Sequence, residues 1–258
     1  MTTAPTLRPP EDFCLPKGYR QQHRNLTLDD NRDADAYWSQ WRVSESARWQ
    51  KHVYAWAAEL SREHALASAL DVGCGVGTKL KQHLIPAFRH VEGLDQPSAL
   101  AIARKQGILS PLTPVDLESP PTQLSRQFDL ILCADVVEHL VDPDPMLAMI
   151  RSAAHADSLV LISTPERDRE RGRDCRSSDK PEHVREWARS EFRRFLLSRG
   201  FTPVACRLMP KDDADRGQGR EQEVSFRLKQ AAKSPWCCQA WLCKVPGAVQ
   251  QARIEAAA

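Results

Sequence analysis

The sequence predicts an α/β fold in which a mostly parallel sheet is covered by helices on both faces. Three observations predict it. Short apolar runs alternate with amphipathic stretches along the middle of the chain, the pattern of strand, helix, strand units. The first clear run, ending Leu70-Asp71-Val72, passes directly into Gly73-Cys74-Gly75-Val76-Gly77-Thr78; glycines spaced in this way let a backbone turn sharply and approach a ligand closely. Finally, 258 residues with 41% hydrophobic content can fill the core of one large domain.

Each element follows from local pattern. Residues 1 to about 36 are rich in Pro, Asp, Arg and Asn without periodicity, which predicts a loosely ordered arm; residues 1–43 are expected to fold over a site as an acceptor lid, using Tyr19, His23, Arg24 and Trp38. Residues 44–245 form the main domain and 246–258 a tail. From Ser44 to about His64, Ala47, Trp49, Val53, Tyr54, Trp56, Ala57 and Leu60 recur at helical spacing behind a Ser cap. Strands are then predicted near 67–72, 90–94, 112–115, 128–133 and 158–163, with helices near 78–85, 97–106 and 143–154 between them. The charged stretch Thr164 to His183 reads as a long loop. A helix near Ser190 to Arg199 ends at Gly200, and Phe201 to Leu208 reads as a strand. After the polar stretch Lys211 to Gln222, Trp236 to Val245 fits a last strand, placed most simply as an antiparallel partner at the sheet edge. Ligands of such sheets bind beyond the carboxyl ends of the strands.

Charge and cysteine usage exclude several function classes. Lys and Arg total 36 against 34 for Asp and Glu, so a net charge of +2 gives no general attraction to nucleic acid or anionic membrane. No run approaches the roughly 18 apolar residues that span a bilayer, and no apolar leader precedes a small-residue cleavage site. The chain is expected to be soluble and cytoplasmic, without a membrane partner. Of its eight cysteines, none forms a C-x-x-C pair, which predicts buried reduced thiols in place of a zinc site or a disulfide framework. Oligomeric state is not readable.

The glycine spacing narrows the ligand. A dinucleotide turn needs G-x-G-x-x-G and a phosphate-cradling loop needs G-x-x-x-x-G-K-[ST]; neither is present. Asp71-Val72-Gly73-Cys74-Gly75-Val76-Gly77 instead resembles motif I of class I S-adenosylmethionine-dependent methyltransferases, D-x-G-x-G-x-G. Such a ligand carries a sulfonium and a zwitterionic methionine end but no phosphate, so a carboxylate at the loop entrance can attract its cationic end. The resemblance spans about Ser44 to Val245. It implies a Rossmann-like, seven-stranded sheet with an antiparallel last strand, and S-adenosyl-L-methionine as cofactor. It also implies cofactor contacts from Asp71, Gly73, Cys74, Gly75 and Gly77. Asp95 closes the second strand near the roughly 20-residue offset at which an acidic side chain takes the ribose hydroxyls. Asp116 and Leu117 follow the third strand, where the family places a carboxylate near the adenine amine and an apolar flank on the ring. Ala134 and Asp135, at the end of the fourth strand, are further cofactor contacts that the resemblance implies.

Methyl transfer from a sulfonium is an in-line displacement, so an enzyme mainly aligns the acceptor and makes it nucleophilic. A hydroxyl acceptor needs a base or a metal. Asp135, Glu138, His139 and His183 are the candidates at the carboxyl edge, with His139 and His183 assigned to catalysis. In a helical turn, Asp135 and His139 would share a face. The segment Asp135-Val136-Val137-Glu138-His139 resembles the E-x-x-E-H element of ubiquinone-biosynthesis O-methyltransferases and of small-RNA terminal 2'-O-methyltransferases, although Asp135 is shorter than the glutamate there; a divalent metal is left open. The leading expectation is an O-directed methyltransferase acting on a small-molecule or saccharide-like acceptor. Metal-assisted methylation of an RNA 2'-hydroxyl and a non-catalytic cofactor-binding protein are the alternatives. Five acidic residues interleave with Arg167, Arg169, Arg171, Arg173 and Arg176, which argues for an internally paired loop over a phosphate-binding one.

Overall fold

The computed structural model describes residues 10–28, 37–119, 124, 126–210 and 237–246. The stretch Lys211 to Gln222, Trp236 and most of the tail lie outside the described residues.

Seven strands form one sheet: β1 (Ser68–Val72), β2 (His90–Asp95), β3 (Leu112–Pro114), β4 (Phe128–Ala134), β5 (Ala154–Pro165), β6 (Thr202–Pro210) and β7 (Cys237–Lys244). Their order is β3-β2-β1-β4-β5-β7-β6. The strands from β3 to β5 pair in parallel, whereas β7 runs antiparallel to both β5 and β6. The antiparallel last strand is as expected; its place at the edge is not. All of β7 up to Cys243 is buried while β6 is half exposed, so the strand that is apolar on both faces takes the interior position and the mixed strand takes the edge.

The helices are α1 (Gln40–Glu45), α2 (Lys51–His64), α3 (Pro97–Lys105), α4 (Asp144–Ser152), α5 (Arg167–Glu170) and α6 (Arg189–Ser198). The predicted helix from Ser44 to His64 is therefore two. Gln50 adopts a left-handed φ of 55°, which interrupts the register and aims α2 afresh. Leu80–Leu84 forms a π-helical turn where a regular helix was expected. Alternation along β4 builds both layers of the core: Leu130 and Leu132 face Tyr54, Trp56 and Leu80, while Ile131 and Cys133 face Trp187, Phe192 and Phe195. No helix of the described residues is long and apolar enough to cross a membrane. All eight cysteines are free thiols.

The N-terminal segment is not a loose arm over residues 10–28. Phe13 has no exposure and Tyr19 only 3%. The Trp187 indole donates to the Phe13 carbonyl at 2.7 Å, the Arg185 guanidinium stacks 3.8 Å above the Phe13 ring, and the Glu186 amide donates to the Tyr19 hydroxyl at 2.9 Å. An aperiodic, charged stretch hides such anchors because two aromatic residues suffice to bury it. Phe13→Ala is expected to cost about 3–5 kcal/mol of unfolding free energy, read as a lower midpoint in a denaturant titration; a midpoint equal to that of the unmodified chain would detach this segment from the core.

Candidate active site

The carboxyl ends of β1, β2 and β4 open into a cavity of about 510 Å³, within the size range of small-molecule sites. The glycine loop forms one wall. The Gly73 and Cys74 amides donate to the Leu94 carbonyl at 2.8 and 3.0 Å, and the Gly75 amide donates to Asp95 Oδ2 at 2.6 Å. Gly73 has φ 77° and a Cβ there would stand 2.3 Å from Val136, so this glycine permits the turn after β4 to approach. Gly75, at φ 60°, faces the cavity, and its Cβ would meet the Trp38 ring at 3.0 Å. Gly77 lies away from the cavity, against Ile108 and Ala103.

Asp95 lines the cavity as expected, its Oδ1 accepting from the Gln96 amide at 2.7 Å. Each carboxylate oxygen accepts more than one hydrogen bond, so Asp95 can shape the loop and still receive a diol. Cys74, Leu117, Ala134 and Asp135 also line it. Asp71 and Asp116, like Gly77, do not. Asp71 is fully buried behind the loop, where Tyr54 Oη donates to its two oxygens at 3.1 and 3.0 Å; burial pushes its carboxyl up to about 7 against the pull of Tyr54 and Lys79. It supports the loop and does not line the cavity. Asp116 is exposed and turned onto Ser119 Oγ at 2.5 Å and the Glu118 amide at 2.9 Å. The neighbouring Glu118 points inward instead, accepting from Asn25 Nδ2 at 2.8 Å and the Val141 amide at 3.0 Å.

At the other end the two histidines meet. Their ring centroids are 4.8 Å apart at 88°. His139 Nδ1 contacts the Glu182 carbonyl at 2.8 Å and His183 Nδ1 contacts Glu186 Oε1 at 2.6 Å. Neither acceptor can donate, so both Nδ1 atoms carry a proton. Burial, together with the neighbouring His183, lowers His139 to about 3. The buried Glu138 carboxylate accepts from Thr164 Oγ1 at 3.0 Å, and one donor atom each from Glu138, His139 and His183 lie within 4.8 Å of one another. Asp135 is outside this group. Its φ of 53° breaks the helical turn that would have set it beside His139, and its oxygens are held by Ser163 Oγ at 2.8 Å and Gln50 Nε2 at 3.0 Å.

Aromatic residues roof the cavity. The Tyr37 ring sits 6.4 Å from His139, with the Arg42 guanidinium 4.4 Å above it and bridged to Glu182 at 3.0 Å. The Trp38 indole N–H is buried with no hydrogen-bond partner among the described residues. In the charged loop, Arg167 pairs with both oxygens of Glu191 at 2.7 and 2.9 Å, and Arg171 pairs with Glu186 at 3.1 and 3.0 Å. These arginines are internally paired, as the interleaved charges predict.

A family model for a methyltransferase domain matches residues 38–205. The chain belongs to that family. Its sheet and glycine loop are those of the class I, S-adenosylmethionine-dependent members. The chain is 31% identical over 104 residues to the ubiquinone biosynthesis O-methyltransferase of Aeromonas salmonicida (strain A449), covering 38% of this chain and 43% of that one. It thus spans less than half the length of that relative. Among solved structures, it is similar to an S-adenosylmethionine-dependent methyltransferase from Clostridium acetobutylicum ATCC 824 (TM-score 0.55, 15% identity, 83% of this chain and 98% of that one). It is also similar to the plantazolicin methyltransferase BamL (TM-score 0.57, 18% identity, 85% of this chain and 94% of that one), whose structure holds SAH. At these identities the structural likeness speaks for the fold.

Asp95→Ala is expected to weaken S-adenosylhomocysteine binding about tenfold or more in calorimetry, through loss of charge-assisted hydrogen bonds; unchanged affinity would remove Asp95 from the site. Gly75→Val should abolish that binding in a chain that keeps its circular dichroism spectrum, because a branched side chain enters the ligand's space. Normal affinity in that folded variant would disprove the loop assignment.

Proposed function

We propose that the chain transfers the methyl group of S-adenosylmethionine to a hydroxyl oxygen of a small-molecule acceptor, with His183 as the base. The observation that carries this reading is the buried His183–Glu186 pair at 2.6 Å, which sets a carboxylate behind a ring that lines the cavity. A base needs that support. His139, held near pKa 3 by burial, binds a proton too weakly to serve, and its role becomes orientation of the acceptor. The name of the Aeromonas relative, an O-methyltransferase, supports oxygen as the acceptor atom. Trp41, Trp49 and Tyr37 along the cavity offer flat faces to a ring, a saccharide-like one included.

Bound S-adenosylmethionine supplies a methyl group already activated by a positive sulfur. The chain supplies the rest: Asp95 and the Gly75 turn fix the adenosine half, the aromatic wall sets the acceptor in line, and residues 37–49 exclude water as a lid. His183 Nε2 takes the hydroxyl proton as the oxygen attacks, and Glu186 stabilises the imidazolium that results.

A second reading rests on the donor group itself. Glu138, His139 and His183 offer one carboxylate and two imidazoles oriented by Nδ1 partners, a set that suits a divalent cation. Those residues would hold the ion, and it would acidify the acceptor hydroxyl. Under the base reading, His183→Ala lowers kcat roughly 10²–10⁴-fold while S-adenosylhomocysteine affinity stays near normal, and EDTA has no effect. Under the metal reading, EDTA abolishes turnover, and Glu138→Gln reproduces the loss. Full turnover by His183→Ala would disprove both.

A further inference from the structure

Lys79 lies two residues beyond the last motif glycine, in the first turn after the loop, and its side chain reaches the cavity. Its ammonium donates to the Ser46 carbonyl at 3.0 Å and stands 5.3 Å from the Tyr54 ring centroid. Among the described residues it makes no ion pair. Asp71, Asp135 and Asp95 are near enough to act on it through space. Burial nevertheless lowers its pKa, the desolvation outweighing those carboxylates. An ammonium has three donors, and one is spent on Ser46. A half-buried cation in this condition is stabilised by an arriving anion.

The position of the site defines which anion. Asp95 marks the ribose end of the ligand, on β2. Lys79 belongs to the β1 side of the same loop, among Ser46, Gln50 and Tyr54, and all four line the cavity. A ligand that runs from Asp95 across the Gly73–Gly75 turn reaches this corner with the part of the molecule beyond the sulfur. In S-adenosylmethionine that part is an amino acid, whose free carboxylate is the anionic group of the molecule.

We propose that Lys79 is the anchor of the cofactor's amino-acid carboxylate, a binding residue that fixes the sulfonium by holding the far end of the chain attached to it. Its task is positional: with the ribose held by Asp95 and the carboxylate by Lys79, the methyl group between them has little freedom to swing away from the acceptor.

The test compares two ligands by calorimetry with the full chain: S-adenosylhomocysteine, and 5'-deoxy-5'-methylthioadenosine, which keeps the adenosine and the thioether but lacks the amino acid. Lys79→Met is expected to weaken S-adenosylhomocysteine binding roughly ten- to hundredfold and to leave methylthioadenosine binding within about twofold. Lys79→Arg should retain the preference for S-adenosylhomocysteine, since it keeps the charge. Equal losses for both ligands in both variants would make Lys79 a support of the loop and overturn the assignment, as would an unchanged affinity for S-adenosylhomocysteine in Lys79→Met. If the unmodified chain binds neither ligand, the cofactor reading on which this inference rests falls, and Lys79 falls with it; weak methylthioadenosine binding beside intact S-adenosylhomocysteine binding would not be mistaken for that case.

Discussion

One buried carboxylate organises the part of the molecule that was hardest to foresee. Glu186 has no exposure. Its oxygens accept from His183 Nδ1, from two nitrogens of Arg171 and from Ser178 Oγ, and its own amide donates to Tyr19. Burial by itself would raise this carboxyl, yet the hydrogen bonds from His183 and Arg171 outweigh it and hold it well below the usual carboxylate range. Such a group stabilises the fold above the ordinary glutamate pKa, and that contribution is lost only as pH falls through the depressed value. Through these bonds one side chain orients an imidazole, pins the charged loop and ties down the N-terminal segment. Charge on Glu186 is therefore a condition of the site as well as of the fold.

The sequence showed some features and hid others for physical reasons. Gly73, Gly75 and Asp95 were legible because backbone geometry and strand ends impose residue types at fixed spacing, and the structure sets Gly75 and Asp95 against the cavity in direct contact with each other. The strands and most helices were legible from apolar period. Asp71 had the right type and position for a ligand contact but is turned beneath the loop by Tyr54, a residue on α2 whose hydroxyl no local pattern assigns to it. Asp116 and Glu118 part ways across a turn, because an Asx turn captures the first while the second points inward onto Asn25. Neither outcome has a signature at the level of spacing.

Long-range packing accounts for the remaining differences. Phe13 enters the core only because Trp187, Arg185 and Phe195 form a socket for it, and those residues come from the far end of the domain. The same applies to β7. Its uniform burial is visible in the run Cys237 to Cys243, but insertion between β5 and β6 depends on β6 being the poorer candidate for two-sided burial. Two left-handed residues, Gln50 and Asp135, are joined by a hydrogen bond of 3.0 Å. Each is costly alone, and each is held by structure on both sides, so periodicity, which assumes regular helices there, misplaced them.

These differences divide the cavity into two halves of unlike origin. The half at the glycine loop is built from backbone amides and a strand-end carboxylate, closely spaced in the chain and locked to β2 by bonds of 2.6 to 3.0 Å. The half around His139 and His183 is assembled from the turn after β4, the segment before α6 and the N-terminal residues 37–49, which meet only in the folded chain. Arg42 spans the last two, bridged to Glu182, whose carbonyl in turn fixes His139. The N-terminal segment therefore meets the histidine pair in two places, through the Tyr37 ring 6.4 Å from His139 and through the Arg42–Glu182 ion pair, which is exposed enough to be weak. The glycine-loop half is thus fixed by neighbours in sequence, whereas the histidine half is fixed by contacts between segments far apart in the chain, and spacing along the sequence carries a signature of the first alone.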